Sequence, residues 1–130
     1  MTGDSSISVL VVDEEPSVLA LIGGMLAENG IRALLARTAD EAVSIARRDY
    51  IQIDLILTDK QLPDARGPEI VARIQVLRPH VRALYMSSFV DAGIIRIDLP
   101  GKDDGDLWRQ RNLIDTIWRS VSLSAGDTVS

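Results

Sequence analysis

The sequence predicts an α/β fold: a doubly wound parallel sheet with helices on both faces. Three observations carry this. Short apolar, β-branched runs alternate with segments of helical periodicity along the 130-residue chain. The first run reads as a buried strand rather than an alternating one, as expected of a strand covered on both faces. The intervening segments suit helices of 10–15 residues, the length of a βαβ crossover, and such crossovers are right-handed.

The elements follow in order. Residues 7–12, Ile-Ser-Val-Leu-Val-Val, form the first strand, ended by Asp13-Glu14-Glu15. Pro16 suits the first turn of a helix. Val18, Leu21, Ile22 and Met25 then recur at helical spacing, with Leu19 and Leu26 widening the stripe, and Asn29-Gly30 stops the helix. Residues 31–36 are the second strand. Thr38 to Glu41 matches a capping box, in which a hydroxyl and a carboxylate three residues on satisfy free N–H groups; that helix continues to about Asp49. Residues 53–58 form the third strand, ended by Asp59. Gln61 to Pro68 is a loop by its Pro and Gly content. Glu69 to Leu77 carries Ile70, Ile74 and Leu77 on one face. Residues 81–86 form the fourth strand, ended by Ser87-Ser88.

Beyond Ser88 the periods blur. Residues 91–99 fit neither strand nor helix cleanly. Gly93, Pro100, Gly101 and Gly105 predict irregular or partly disordered structure over about 89–106. Residues 107–121 are a helix candidate with Leu113, Ile114, Ile117, Trp118 and Val121 on one side. The expected organisation is one domain over residues 7–122, with tails at 1–6 and 123–130.

Composition narrows the chemistry. There is no Cys, which excludes disulfides, thiolate metal sites and cysteine nucleophiles. The single His, His80, excludes multi-His metal sites and is expected at the surface. A net charge of −5, with 19 acidic against 14 basic residues, argues against nucleic acid as a partner. No apolar run approaches a membrane span, and no signal pattern opens the sequence, so a cytoplasmic location and no membrane partner are expected.

Ligands of parallel α/β sheets bind beyond the C-terminal ends of the strands. That edge would gather Asp13-Glu14, Asp59 and Ser87-Ser88, which are far apart in sequence. Converging carboxylates repel and raise one another's pKa unless a cation sits among them. With oxygen ligands alone, Mg²⁺ is the natural cation. The chemistry this suits is phosphoryl transfer, with an Asp able to act as the covalent acceptor. Each acidic residue alone has a plain alternative, since Asp favours turns and caps. The joint pattern is what points to a site.

These residues also resemble a known family. Val11-Val12-Asp13-Glu14-Glu15-Pro16 is similar to the first-strand motif of response-regulator receiver domains. Asp54-Leu55-Ile56-Leu57-Thr58-Asp59-Lys60-Gln61-Leu62-Pro63-Asp64 resembles their phosphoacceptor strand and loop, and Gly67 stands where they often carry glycine. Ala83-Leu84-Tyr85-Met86-Ser87-Ser88-Phe89 resembles their fourth strand. The resemblance implies a five-stranded sheet in the flavodoxin-like order 2-1-3-4-5. It implies that Asp59 accepts a phosphoryl group from a histidine kinase or phosphotransfer protein. Asp13 would bind Mg²⁺ directly, Glu14 directly or through water, and Gln61 through its backbone carbonyl, with Asp59 completing the set. Ser87 would bond the phosphoryl group and bias a two-state equilibrium. Enzymatic activity would be limited to Mg²⁺-dependent self-phosphorylation and autodephosphorylation.

One expected part is missing. The family carries a Lys, usually followed by Pro, at the end of strand five. This chain has only Lys60 and Lys102. Lys60 follows the acceptor, so strand alternation turns it away. Counting from Ser87 lands near Arg109, and counting back from the last helix lands on Asp106. Lys102 serves only if the fourth helix is shortened or absent and residues 94–99 are strand five. Two further readings therefore stand beside the switched receiver: a pseudo-receiver acting purely by protein contact, and a small hydrolase or flavodoxin-like binder. No phosphate loop, nucleophile elbow or histidine base supports the last. Output would be by contact with a downstream protein, or the chain is a piece of a longer one, with a homodimer through the C-terminal face also open.

Overall fold

The computed structural model describes residues 7–91, 94–98, 106–109, 114–115, 117–119 and 121. The elements are β1 (Ser8–Val12), α1 (Pro16–Glu28), β2 (Arg32–Ala36), α2 (Ala39–Ala46), β3 (Leu55–Asp59), α3 (Gly67–Leu77), β4 (Arg82–Asp91), β5 (Ile94–Asp98) and β6 (Asp106–Arg109). They build one sheet in the order β2-β1-β3-β4-β5-β6. The first four strands are parallel, as the sequence predicts.

Both faces are covered, and alternation along each strand divides the core. Val9 and Val11 of β1, Leu55 and Leu57 of β3, and Leu84 and Met86 of β4 pack with Val18, Leu19, Ile22, Met25 and Leu26 of α1, and with Ile114 and Ile117. Leu10 and Val12 of β1 and Ile56 of β3 face the other way, onto Ala42, Val43 and Ala46 of α2 and Ile70, Val71 and Ile74 of α3. All five residues of β1 are buried, Ser8 among them, which explains why Val9 to Val12 are apolar without alternation.

The helix starts obey capping chemistry, with one variation. Thr38 Oγ1 accepts the Glu41 N–H at 3.1 Å, as the capping box predicts. The reciprocal bond is displaced by one residue: Glu41 Oε1 accepts from the Arg37 N–H at 2.7 Å. No side chain caps α1 from its N-cap residue, Glu15. Pro16 has no N–H there and so needs no acceptor.

The last third departs from expectation. The sheet does not continue parallel, since β5 runs antiparallel to β4 and β6 antiparallel to β5. Strand β4 extends to Asp91, so Ser87 lies inside a strand and not on a loop after it. Register shifts between Met86 and Ser88, and between Phe89 and Asp91, interrupt the pairing without ending it. The irregular stretch predicted over 89–106 is therefore corrected for residues 89–91, 94–98 and 106, which are in strands. Leu107, Trp108 and Arg109 belong to β6 rather than to the predicted helix; residues 114–115, 117–119 and 121 are helical. Their Ile114 and Ile117 are buried as the helical spacing requires. Gly93, Pro100, Gly101, Gly105 and Lys102 fall outside the described residues. Among the described residues, no helix is long and apolar enough to cross a membrane.

Candidate functional site

The site is built by adjacency of β1 and β3 at their C-terminal ends. Val12 pairs with Thr58, so the next residues, Asp13 and Asp59, stand side by side. The Asp13 N–H continues the ladder to Ala36 O at 3.0 Å, which holds the chain extended one residue past β1. Alternation then assigns the faces. Asp13 follows Val9 and Val11, and Asp59 follows Leu55 and Leu57, so both belong to the α1 face of the sheet. Thr58, fully buried, belongs to the other face and donates its hydroxyl to Asp59 O at 2.9 Å.

The two carboxylates sit in different surroundings. Asp13 is buried, 6% exposed, and its Oδ1 accepts the Glu15 N–H at 2.8 Å, fixing the turn into α1. Asp59 is half-buried, and its Oδ1 meets the Gln61 N–H at 3.4 Å, a long contact. Burial raises the Asp13 carboxyl from 3.8 to about 6, against the Glu15 N–H, with Asp59, Glu15 and Glu14 adding repulsion. Burial also raises Asp59, with Glu14 adding to it. Both shifts oppose the ionised forms, chiefly through burial, with repulsion from acidic neighbours as the smaller cause. Glu14 is exposed at the rim.

Among the described residues, no group of three or more His, Cys, Asp or Glu side chains is placed to hold a metal. The available donors are two adjacent carboxylates and nearby backbone carbonyls. That set fits a hard cation which keeps several waters, as Mg²⁺ does, and suits Zn²⁺ poorly. Ser87 directly follows Met86, the residue paired with Asp59, and the Lys60 N–H donates to Met86 O at 3.1 Å. The backbone register thus brings the fourth-strand hydroxyl residue next to the acceptor strand.

Lys60 is exposed and, with Gln61, Arg66, Pro68, Glu69 and Tyr85, lines a cleft of about 520 Å³. Tyr85 packs on the α2/α3 core, so Lys60 stands on the sheet face opposite Asp13 and Asp59. His80 is exposed, as expected.

Two features of the site were not assigned a role from the sequence. Gly67 donates its N–H to Lys60 O at 2.7 Å, and a Cβ there would lie 2.5 Å from Asp59 O and 3.2 Å from Lys60 Cα. Glycine is required by this close backbone approach, since its φ is not positive. Asp64 accepts the Ala39 N–H at 2.9 Å and the Asp40 N–H at 3.2 Å, at the start of α2. Gly67 had a signal in the resemblance, since receiver domains often carry glycine at that position. Asp64 had none, because its partners lie 24 and 25 residues away.

Comparison with known proteins fits this geometry. The model of the response regulator receiver domain family matches residues 9–97. Fimbriae Z protein of Salmonella typhimurium (strain LT2) is 31% identical over 116 residues, covering 89% of this chain and 55% of that protein. The chain therefore spans about half the length of that curated relative. A CheY-like response regulator receiver domain protein from Methanospirillum hungatei JF-1 shares the fold, with a TM-score of 0.76 and 21% identity over 95% of this chain and 99% of that one. A receiver domain of Saccharomyces cerevisiae, solved in complex with a histidine phosphotransfer signalling protein, matches at 31% identity and a TM-score of 0.51. That match covers 57% of this chain and 50% of the other. A family match over most of the chain, with strand-end carboxylates where this fold gathers ligands, decides the matter: the chain belongs to the response regulator receiver domain family of two-component signalling.

Proposed function

We propose that Asp59 is the phosphoacceptor of a signalling receiver. One observation carries this reading: Asp59 ends β3 beside Asp13, and burial raises both carboxyls, with acidic neighbours adding to it. The phosphoryl group comes from the phosphohistidine of a histidine kinase or phosphotransfer protein. One Asp59 carboxylate oxygen forms the new bond to phosphorus while the N–P bond breaks and the imidazole leaves. The receiver co-crystallised with a histidine phosphotransfer protein supports that class of donor. Asp13, Asp59 and the Gln61 backbone carbonyl would hold Mg²⁺, with Glu14 reaching it directly or through water. When bound, the ion neutralises charge on the transferring oxygens. Ser87 is the candidate hydrogen-bond donor to the phosphoryl group. Lys102 is retained as the candidate counter-charge, and its position relative to Asp59 lies outside the described residues.

The test is incubation with Mg²⁺ and acetyl phosphate followed by intact-mass measurement. Addition of one phosphoryl group to wild type, and none to Asp59→Asn, is the expected result. A wild-type chain that stays unlabelled while an ordinary receiver labels defeats the reading.

A second reading has its own observation. Strand β4 runs through Ser87 to Asp91 and is paired with β5 along its far half. A segment held in a sheet resists the inward movement that a phosphorylated receiver needs. This favours a pseudo-receiver that acts by protein contact without switching. Mg²⁺ titration separates the two, because only the first requires carboxylate-site binding.

A further inference from the structure

The loop after Asp59 folds back on itself as a small closed unit. The Gly67 N–H donates to Lys60 O at 2.7 Å, and the Leu62 N–H to Ala65 O at 2.9 Å. Gln61 and Arg66 form an antiparallel bridge between these bonds. Leu62, 3% exposed, roots the unit in the α2/α3 core. The base of the unit is fixed by Gly67 against the Asp59 backbone. Its tip carries Asp64, whose two oxygens accept the first two N–H groups of α2, from Ala39 and Asp40. The third N–H, from Glu41, is served locally by Thr38 Oγ1. A local hydroxyl is the ordinary cap. A carboxylate brought from 24 and 25 residues away does something more, because it fixes the loop relative to the helix.

The geometry points to Asp64 as a positioning residue for the acceptor site: it pins the tip of loop 60–66 to α2 and thereby sets where Gln61 stands beside Asp59. Gln61 is the sensitive point. Its N–H reaches Asp59 Oδ1 at only 3.4 Å, and its carbonyl is the proposed third metal ligand. A small displacement of the loop changes both. The α2 N–H groups hold the Asp64 carboxyl below its ordinary value, so the tether stays ionised at neutral pH. The inference rests on the phosphoacceptor reading given above.

The test compares Asp64→Ala, Asp64→Asn and Thr38→Ala in the metal-free and Mg²⁺-titrated chain. Thr38→Ala weakens the same helix end without touching the loop. Two readouts are taken: hydrogen exchange at the Leu62 and Gly67 amides without metal, and Mg²⁺ affinity by titration calorimetry. Asp64→Ala is expected to speed Leu62 exchange and lower Mg²⁺ affinity about tenfold, as loss of support for a metal ligand does. Asp64→Asn keeps one acceptor oxygen and should fall between. Thr38→Ala should leave both readouts at wild-type values. Wild-type exchange and affinity in Asp64→Ala would overturn the inference, as would equal changes in Thr38→Ala. A wild-type chain that binds no Mg²⁺ overturns the underlying phosphoacceptor reading instead, and is told apart because no variant is then needed to see it.

Discussion

Replacing Asp13 by Asn should stabilise the metal-free protein at neutral and alkaline pH. The Asp13 carboxyl is raised from 3.8 to about 6, so ionising it in the folded state is unfavourable. The sign follows from proton binding. Between about pH 4 and 6 the folded chain holds the Asp13 proton more tightly than the unfolded chain, so stability falls as pH rises through that window. Above it the full penalty is present. Two pKa units correspond to roughly 3 kcal/mol as an upper bound. The asparagine amide must also be desolvated at this buried position, which offsets part of the gain, so about 1–2 kcal/mol is expected. Asparagine keeps an oxygen for the Glu15 N–H, now held at 2.8 Å, and removes the charge that Asp59 and Glu14 repel. Urea unfolding at pH 4 and pH 8, with chelator, measures the effect. The variant should match wild type at pH 4 and exceed it by that amount at pH 8. Adding Mg²⁺ at pH 8 should raise wild-type stability and leave the variant nearly unchanged. A variant no more stable at pH 8, or equally shifted at both pH values, would refute the electrostatic argument.

Two glycines give opposite expectations. In Gly67→Ala the new Cβ meets the Asp59 carbonyl oxygen at 2.5 Å, and backbone must move; urea unfolding should show a loss of about 1–3 kcal/mol, and acetyl phosphate labelling of Asp59 should slow. In Gly24→Ala nothing lies within 4 Å of the new methyl, on an exposed face of α1; a gain of about 0.5–1 kcal/mol is expected, and unchanged or lower stability in a thermal melt would contradict it.

Much of the site was legible because its signal is local. An apolar run that ends in a carboxylate marks both a buried strand and its C-terminal edge, so Asp13 and Asp59 could be assigned to one edge before their strands were known to be neighbours. The structure makes them neighbours through the Val12–Thr58 pair. The same alternation correctly turned Lys60 away from the acceptor, and it lines the cleft with Tyr85 on the opposite face. What escaped was long-range. The Asp64 tether joins two elements through backbone N–H groups, and backbone donors leave no trace in a sequence. The displaced capping bond from Arg37 N–H to Glu41 escaped for a related reason: the motif fixes which side chains are present, and not which of two adjacent N–H groups each one takes.

After β4 the expected shortened or absent fourth helix is what the structure has among the described residues, and the strand character of residues 87–91 goes beyond that expectation. A parallel connection needs a dozen or more residues, usually a helix. Only two residues separate Asp91 of β4 from Ile94 of β5, so once residues 87–91 extend the strand, β5 has no route but back. The residues that decide this are Ser88, Phe89 and Val90, which continue β4 where a helix start would otherwise follow Ser87. Their strand character also bears on mechanism. Ser88 pairs with Arg96 and Phe89 with Ile95, so moving Ser87 toward Asp59 means disturbing those pairs. The register shift between Met86 and Ser88 falls at Ser87 itself. A bulge is where a strand can bend with least loss of pairing, so Ser87, the residue proposed to meet the phosphoryl group, falls at the point of the β4 backbone best able to move.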